Sequence, residues 1–128
     1  MYSHNMVGSN DLDASRKFYD ATFQAIGGKP GIQDDKGRLI YMHNGGLFLV
    51  TPPINGEPAT AGNGCTIGFA MENEAQAKAW HDAGVAAGGT SIEDPPGVRE
   101  GGFGKLYLAY LRDPDGNKLG AYHGLVIG

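Results

Sequence analysis

Apolar residues recur with helical spacing in two segments of the chain, and each segment ends at a pair of glycines. The first segment shows this spacing at Leu12, Tyr19, Phe23 and Ile26. The second segment covers ENEAQAKAWHDAGVAA, residues 72–87. Before the first segment, Asn10 can cap a helix, and Asp13 stands three residues later to complete the cap. The pattern therefore predicts two helices.

Short apolar runs between turn residues predict the strands. These runs cover residues 2–8, 30–34, 38–43, 46–51, 65–71, 90–94, 105–112 and 117–124. The separators DDKG and NGG are typical of hairpin turns. Proline and glycine dominate residues 52–64, which predicts a linker, and residues 95–104, which predicts a surface loop that could cover a pocket.

The second half of the chain repeats the order of elements found in the first. Residues 18–20 align with 80–82, and residues 27–28 with 88–89, at an offset of 61 to 62 residues. Duplication of a strand–helix–strand–strand–strand unit accounts for this order.

We therefore predict an α+β fold in which two βαβββ units form an open, cupped, mostly antiparallel sheet with the helices on its outer face. The whole chain, 1–128, is expected to be one domain, with unit one at about 1–51, the linker at about 52–64 and unit two at about 65–124. A ligand pocket belongs on the face that the helices leave open.

Charge and composition exclude several classes of partner. The formal net charge is −4 without a basic cluster, which argues against nucleic acid and anionic membranes as partners. Cys65 is the only cysteine, so an internal disulfide or a CxxC site is excluded. The first residues lack the pattern of a signal peptide, and no apolar run is long enough to span a membrane. A cytoplasmic location is the expectation.

Three features identify a family. They are His4 in the first strand, NDLDASRKFYD (10–20) at the first helix, and RDPDGNKLGAY (112–122) before and in the last strand. With them the chain resembles, over its whole length, the vicinal-oxygen-chelate superfamily of glyoxalases, bleomycin- and fosfomycin-resistance proteins and extradiol dioxygenases. The resemblance implies small-molecule binding in the cup and a homodimer. It also implies that metal-dependent relatives hold one divalent ion with His and Glu from four inner strand positions.

Position by position, the resemblance leaves this metal site incomplete. His4 matches the first ligand position. The second position falls on Leu49 or Val50, the third at or near Thr66, and the fourth on Gly120. Only His4 is a ligand type, so a bound divalent metal is possible but disfavoured.

Other residues of ligand type offer little to replace the missing ones. His123 is three positions from Gly120 and should face the opposite side of a regular strand. His43 ends a strand beside a turn, where a solvated histidine is the simple interpretation. Cys65 is expected to be a small buried residue.

The candidate pocket residues come from the strands and from the predicted loop. They are His4, Met6, Thr66, Tyr110, Gly120, Tyr122, Arg99 and Phe103. Each also has a structural interpretation, with His4 as a hydrogen-bonded strand residue, the tyrosines as packing residues and the loop as mobile surface. Tyr107 and Tyr110 should face opposite sides, so that one of them reaches the cup.

Three functions remain open from the sequence. The first is a glyoxalase/bleomycin-resistance-like protein that binds a small polar-aromatic or thiol-derived molecule without the complete metal site. The second is a divalent-metal-dependent lyase, isomerase or dioxygenase with His4 as the retained ligand. The third is a metal-free enzyme that uses His4 or a tyrosine as acid or base.

The segment RDPDG, residues 112–116, predicts a tight turn rather than a catalytic carboxylate pair. Proline fixes one backbone angle, and Gly116 supplies a positive φ. Asp113 and Asp115 are expected to bind nearby amides, and Arg112 to brace the turn.

Overall fold

In the computed structural model, which describes residues 1–102 and 104–124, the elements follow the order β-α-β-β-β twice. Unit one contains β1 (Asn5–Gly8), α1 (Leu12–Ala25), β2 (Ile32–Gln33), β3 (Leu39–His43) and β4 (Gly46–Thr51). Unit two contains β5 (Ile67–Ala70), α2 (Glu74–Ala86), β6 (Thr90–Gly101), β7 (Gly104–Arg112) and β8 (Lys118–His123). In these described ranges, no helix is long and apolar enough to cross a membrane.

Each unit forms its own four-stranded sheet. The first sheet has the strand order β1-β4-β3-β2 and the second the order β5-β8-β7-β6. The pairs β1–β4 and β5–β8 are parallel, and the other pairs are antiparallel. Both sheets are mixed and open, which confirms the α+β prediction of two βαβββ units. Among the described residues, no hydrogen-bonded ladder joins one sheet to the other.

Both helices pack into one core that covers one face of each sheet. Phe18, Tyr19 and Trp80 are buried there, as the helical spacing predicts. The helices approach closely at Gly84, where a Cβ would clash with Leu111 and lie 3.1 Å from Phe18 Cε2. The core therefore uses one face of each sheet, and the other two faces are left open.

The cap of α1 differs from the prediction. Asp11, not Asn10, is the N-cap, and its side chain accepts from the backbone N–H groups of Asp13 and Ala14 at 3.1 and 3.2 Å. Asn10 instead exchanges two hydrogen bonds with the backbone of Ala59 in the linker. The prediction was wrong because a tertiary contact engages the residue that local spacing assigned to the cap.

The prediction of a loop at residues 95–104 is also wrong. Residues up to Gly101 continue β6, and the hairpin returns into β7 from Gly104. The register shifts between Ile92 and Gly97, so the proline pair lies in an irregularity of the strand. Arg99 stabilises this irregularity, since its guanidinium donates to the carbonyls of Gly97 at 3.0 Å and Asp94 at 2.8 Å.

The turn between β7 and β8 encloses a buried carboxylate. Asp113 accepts hydrogen bonds from the backbone N–H groups of Asp115 at 3.0 Å and Asn117 at 2.8 Å, as the turn interpretation predicts. Arg112 donates to the carbonyl of Gly116 at 2.6 Å and so braces the turn. The Tyr19 hydroxyl donates to the second oxygen of Asp113 at 2.5 Å.

The same turn ties the two units together. Asp115 accepts from the backbone N–H of Asn10 at 2.8 Å and from the Ser15 hydroxyl at 3.2 Å. The Asn117 amide donates to the carbonyl of Gly8 at 3.1 Å. Burial, with a smaller contribution from the Asp113 charge, raises the pKa of Tyr19 well above its ordinary value, so its hydroxyl remains a donor at neutral pH.

Removal of the Tyr19 hydroxyl should therefore weaken the fold. Tyr19→Phe leaves a buried Asp113 oxygen with one donor fewer, which we expect to lower the free energy of unfolding by about 1–3 kcal/mol in urea denaturation. Tyr2→Phe is the matched control, since Tyr2 is exposed. Equal stability of the two variants would contradict a bonding role for this hydroxyl.

Candidate functional site

Tyr110, Gly120 and Tyr122 come together on the open face of the second sheet. Tyr110 in β7 lies directly opposite Gly120 in β8, and Tyr122 is two residues further along the same strand. The two hydroxyls are 3.2 Å apart and form a hydrogen bond, and the rings meet edge to face with centroids 6.0 Å apart. Tyr107 points to the opposite side and packs against the core, which confirms the predicted alternation.

Two glycines provide the floor beneath this tyrosine pair. A Cβ at Gly120 would lie 2.5 Å from Tyr122 Cε1 and 3.0 Å from Tyr110 Cε1. Gly68 in β5 is the lateral neighbour of Gly120, and its Cβ would lie 2.8 Å from Tyr122 Cε1. The Tyr122 ring thus lies over strand backbone that only glycine leaves accessible. Gly68 was missed from the sequence, although a glycine inside a predicted strand is a signal for close approach.

A lysine and a glutamate border the tyrosine pair. The Lys118 ammonium lies 4.8 Å from the centroid of the Tyr110 ring and forms an ion pair with Glu93. Glu93 has a φ of 60° and lies in the irregular part of β6. Strand alternation from Gly120 could have identified Lys118, whereas Glu93 reaches it through an irregularity that the sequence does not reveal.

The tyrosine pair offers hydroxyl groups for hydrogen bonding. Burial, followed by its hydrogen bond with Tyr110, raises the pKa of Tyr122 well above that of a free phenol, so this hydroxyl stays protonated. A protonated hydroxyl can donate to a carbonyl, carboxylate or phenolic oxygen of a ligand, and the ring faces can stack on an aromatic group.

The open face of the first sheet is apolar. Met6, Leu49, Ile40 and Ile32 lie side by side across its four strands. Met6 is 41% exposed, Ile32 58% and Met42, on the same face, 64%. Met6 is thus a surface residue of this face, and it lies on a different sheet from the tyrosines.

The other candidates are not gathered at the tyrosine pair. His4 is exposed, precedes β1, and has its Nδ1 2.8 Å from the hydroxyl of Ser3. Thr66 is exposed and precedes β5. Arg99 is engaged with backbone carbonyls in β6. Phe103 lies outside the described residues.

The residues present do not fit the family's metal. Within residues 1–102 and 104–124, no three His, Cys, Asp or Glu side chains are grouped so that they could hold an ion. Leu49 belongs to the apolar row, and the space above Gly120 is filled by Tyr110 and Tyr122. A carboxylate at position 120 would require both rings to move, so no step of the chemistry is assigned to a metal.

The remaining ligand-type residues have other surroundings. His123 faces the side opposite Gly120, as predicted, and its Nδ1 lies 3.0 Å from the carbonyl oxygen of Met71. Cys65 is exposed, so the prediction that it is buried was wrong; it lies outside β5 at the end of the linker. His43 is half-buried at the end of β3, with its ring edge toward Phe23.

Substitution of Gly120 tests the packing of the tyrosines. Gly120→Ala should lower the free energy of unfolding by about 1–3 kcal/mol because the new Cβ conflicts with Tyr122. In a Tyr122→Ala background the same substitution should cost less, as a double-mutant cycle by urea denaturation would measure. Gly101→Ala is the control, since nothing lies within 4 Å of its Cβ position. An unchanged cost in the two backgrounds would contradict the contact.

Comparison with known proteins identifies the family and supports the fold. A model of the Glyoxalase/Bleomycin resistance protein/Dioxygenase superfamily matches residues 2–120. The crystal structure of a glyoxalase/bleomycin resistance protein from Albidiferax ferrireducens T118 has 56% sequence identity and a TM-score of 0.93, covering 97% of this chain and 99% of that one. A search of curated proteins gives no match.

Two more distant structures share the fold. A glyoxalase-related enzyme from Fulvimarina pelagi has 21% identity and a TM-score of 0.70, covering 97% of this chain and 88% of that one. The fosfomycin resistance protein FosX from Mesorhizobium loti has 12% identity and a TM-score of 0.70, covering 98% and 93%. With the match over residues 2–120, these findings show that the chain belongs to the glyoxalase/bleomycin resistance protein/dioxygenase superfamily.

Proposed function

We propose that this protein binds a small polar-aromatic or thiol-derived molecule against the open faces of its sheets, without the complete metal site of its metal-dependent relatives. The observation that carries the proposal is the tyrosine pair above Gly120, which presents hydrogen-bonding hydroxyls and two aromatic rings at the position that the family resemblance assigns to a metal-binding carboxylate. Such a surface can recognise a ligand through hydrogen bonds and stacking, and neither requires an ion.

A second copy of the chain would complete the cup. Within one chain, both sheets turn their helix-covered faces to the common core, so the open faces are directed away from it. We therefore propose a homodimer in which the apolar row of the first sheet faces the tyrosine pair of the partner's second sheet. The exposure of Met6, Ile32 and Met42 supports this arrangement, since contiguous exposed apolar surface is typical of interfaces.

The two faces would then make different kinds of contact with the ligand. Met6 and Leu49 would contact the apolar part of the ligand. The hydrogen-bonded Tyr110–Tyr122 pair would donate its free hydroxyl proton to an oxygen of the ligand and could accept from a ligand donor. Lys118 is already paired with Glu93, so the site carries little net charge to attract a polyanion.

Ligand binding can be tested through the tyrosine hydroxyls. A thermal-shift screen of aromatic acids, phenols and thiol conjugates should find compounds that raise the Tm saturably. In the Tyr110→Phe/Tyr122→Phe double variant, we expect the affinity for such a compound to fall about 10-fold or more, because each lost hydrogen bond contributes about 1 kcal/mol. Tyr107→Phe, on the other face of β7, is the control.

Two results would count against this function. An unchanged ligand affinity in the double variant would show that the tyrosine hydroxyls do not bind the ligand. A near-stoichiometric divalent ion in protein purified without chelator or metal-affinity tag, lost on His4→Ala, would favour the metal-dependent lyase, isomerase or dioxygenase instead.

The homodimer has a separate test. Sedimentation equilibrium at micromolar concentration should give twice the mass of the chain, and Met6→Lys/Met42→Lys should shift the protein to monomer because charges would be buried at the interface. Val85→Lys, an exposed apolar position on α2, should leave the mass unchanged. A monomeric wild-type protein would contradict the proposal that two copies of the chain form the cup.

A further inference from the structure

A separate cleft lies on the helix-covered side of the first sheet, between that sheet, the end of α1 and the strand β5. Its volume is about 260 Å³. Phe23 comes from α1, Tyr41 and Phe48 from the first sheet, and Phe69 from β5, so both units contribute to its walls. Strand alternation places Phe48 on the face opposite Leu49, so the aromatic walls of the cleft lie on the other side of the sheet from the proposed cup, and only Gly68 borders both.

The walls of the cleft are aromatic and fixed in place. The rings of Phe23 and Tyr41 are stacked with centroids 4.8 Å apart. Phe69 meets Phe48 at 5.4 Å and Phe23 at 5.7 Å, both edge to face. The Tyr41 hydroxyl donates to Asp20 at 2.7 Å, which orients its ring. A planar ligand ring would thus find faces and edges already in position, with little side-chain entropy to lose.

The polar groups of the cleft are few and mostly uncharged. Asn5, His43 and Asn44 line it, and no carboxylate, lysine or arginine is among its lining residues in the described part of the chain. The His43 ring is half-buried, and its centroid lies 6.2 Å from that of Phe23 in an edge-to-face arrangement. One imidazole can donate to, or accept from, a single substituent of a ligand.

We propose that this cleft is a second binding site, for a small planar aromatic molecule of one or two rings with one neutral hydrogen-bonding substituent directed to His43. The volume lies just below the range usual for drug-sized ligands, which limits the occupant to a small ring system. An anionic substituent would lose hydration without gaining a cationic partner in the cleft.

The fluorescence of Trp80 can report whether a ligand is bound in the cleft. Trp80 is the only tryptophan of the chain, it is buried, and its ring centroid lies 6.1 Å from that of Phe69. A molecule that contacts Phe69 should therefore change the emission of Trp80, whereas a molecule bound at Tyr110 and Tyr122 contacts the opposite face of the second sheet.

The test uses 4-fluorophenol as the probe, followed by ¹⁹F NMR and by Trp80 emission. We expect saturable binding with a Kd of about 1 mM or tighter, and at least ~3-fold weaker binding of 4-fluorobenzoate. Asn5→Phe should abolish binding by filling the mouth of the cleft. His43→Phe, which keeps the ring and removes the hydrogen bond, should weaken binding about 10-fold.

Control variants separate this site from the proposed cup. The change in Trp80 emission caused by 4-fluorophenol should persist in Tyr110→Phe/Tyr122→Phe, which alters the proposed cup only, and in Val85→Ala on the exposed face of α2. Unfolding curves of each variant check that the fold is retained. Absence of saturable binding, binding insensitive to both Asn5→Phe and His43→Phe, or loss of the Trp80 response in the tyrosine double variant would each overturn the proposal.

Discussion

The buried carboxylate of Asp113 is the group on which the arrangement of the two units depends. A charge-bearing group at this depth must have its oxygens hydrogen-bonded, and its donors come from its own turn and from Tyr19, 94 residues away. Because Asp115 and Asn117 reach Asn10 and Gly8 from the same turn, the spacing between the units is fixed at one point. The acidic turn is therefore a structural joint between the repeats.

A duplicated unit accounts for the fold, whereas the two units differ in the side chains on their open faces. The same strand orders and the same parallel first pair occur in both sheets. Their open faces nevertheless differ, since one carries a row of aliphatic and methionine side chains and the other carries Tyr110 and Tyr122 over glycine. The two open faces thus differ in chemistry, one being apolar and the other carrying hydrogen-bonding hydroxyls.

Patterns within short stretches of the sequence correctly predicted the features that depend on neighbouring residues. The helices ended at their glycine pairs, β4 matched its apolar run, and alternation assigned Tyr107 and Tyr110 to opposite faces. The failures involve distant partners. Asn10 binds the linker and Asp115 instead of capping α1, and the proline pair continues into β6 because Arg99 holds the carbonyls of its irregular turn. Likewise, Gly68 joins the tyrosine site through its register with Gly120, and Glu93 joins it through the irregular part of β6.

The glycine at position 120 also constrains how this protein can change over time. A carboxylate there would meet the Tyr122 ring, which in turn rests on Gly68. Introduction of a carboxylate at position 120 would therefore require the aromatic side chain to be replaced first, with a less well packed intermediate between the two substitutions. The order of substitutions, and not their number alone, thus decides whether an acidic side chain can be accommodated there.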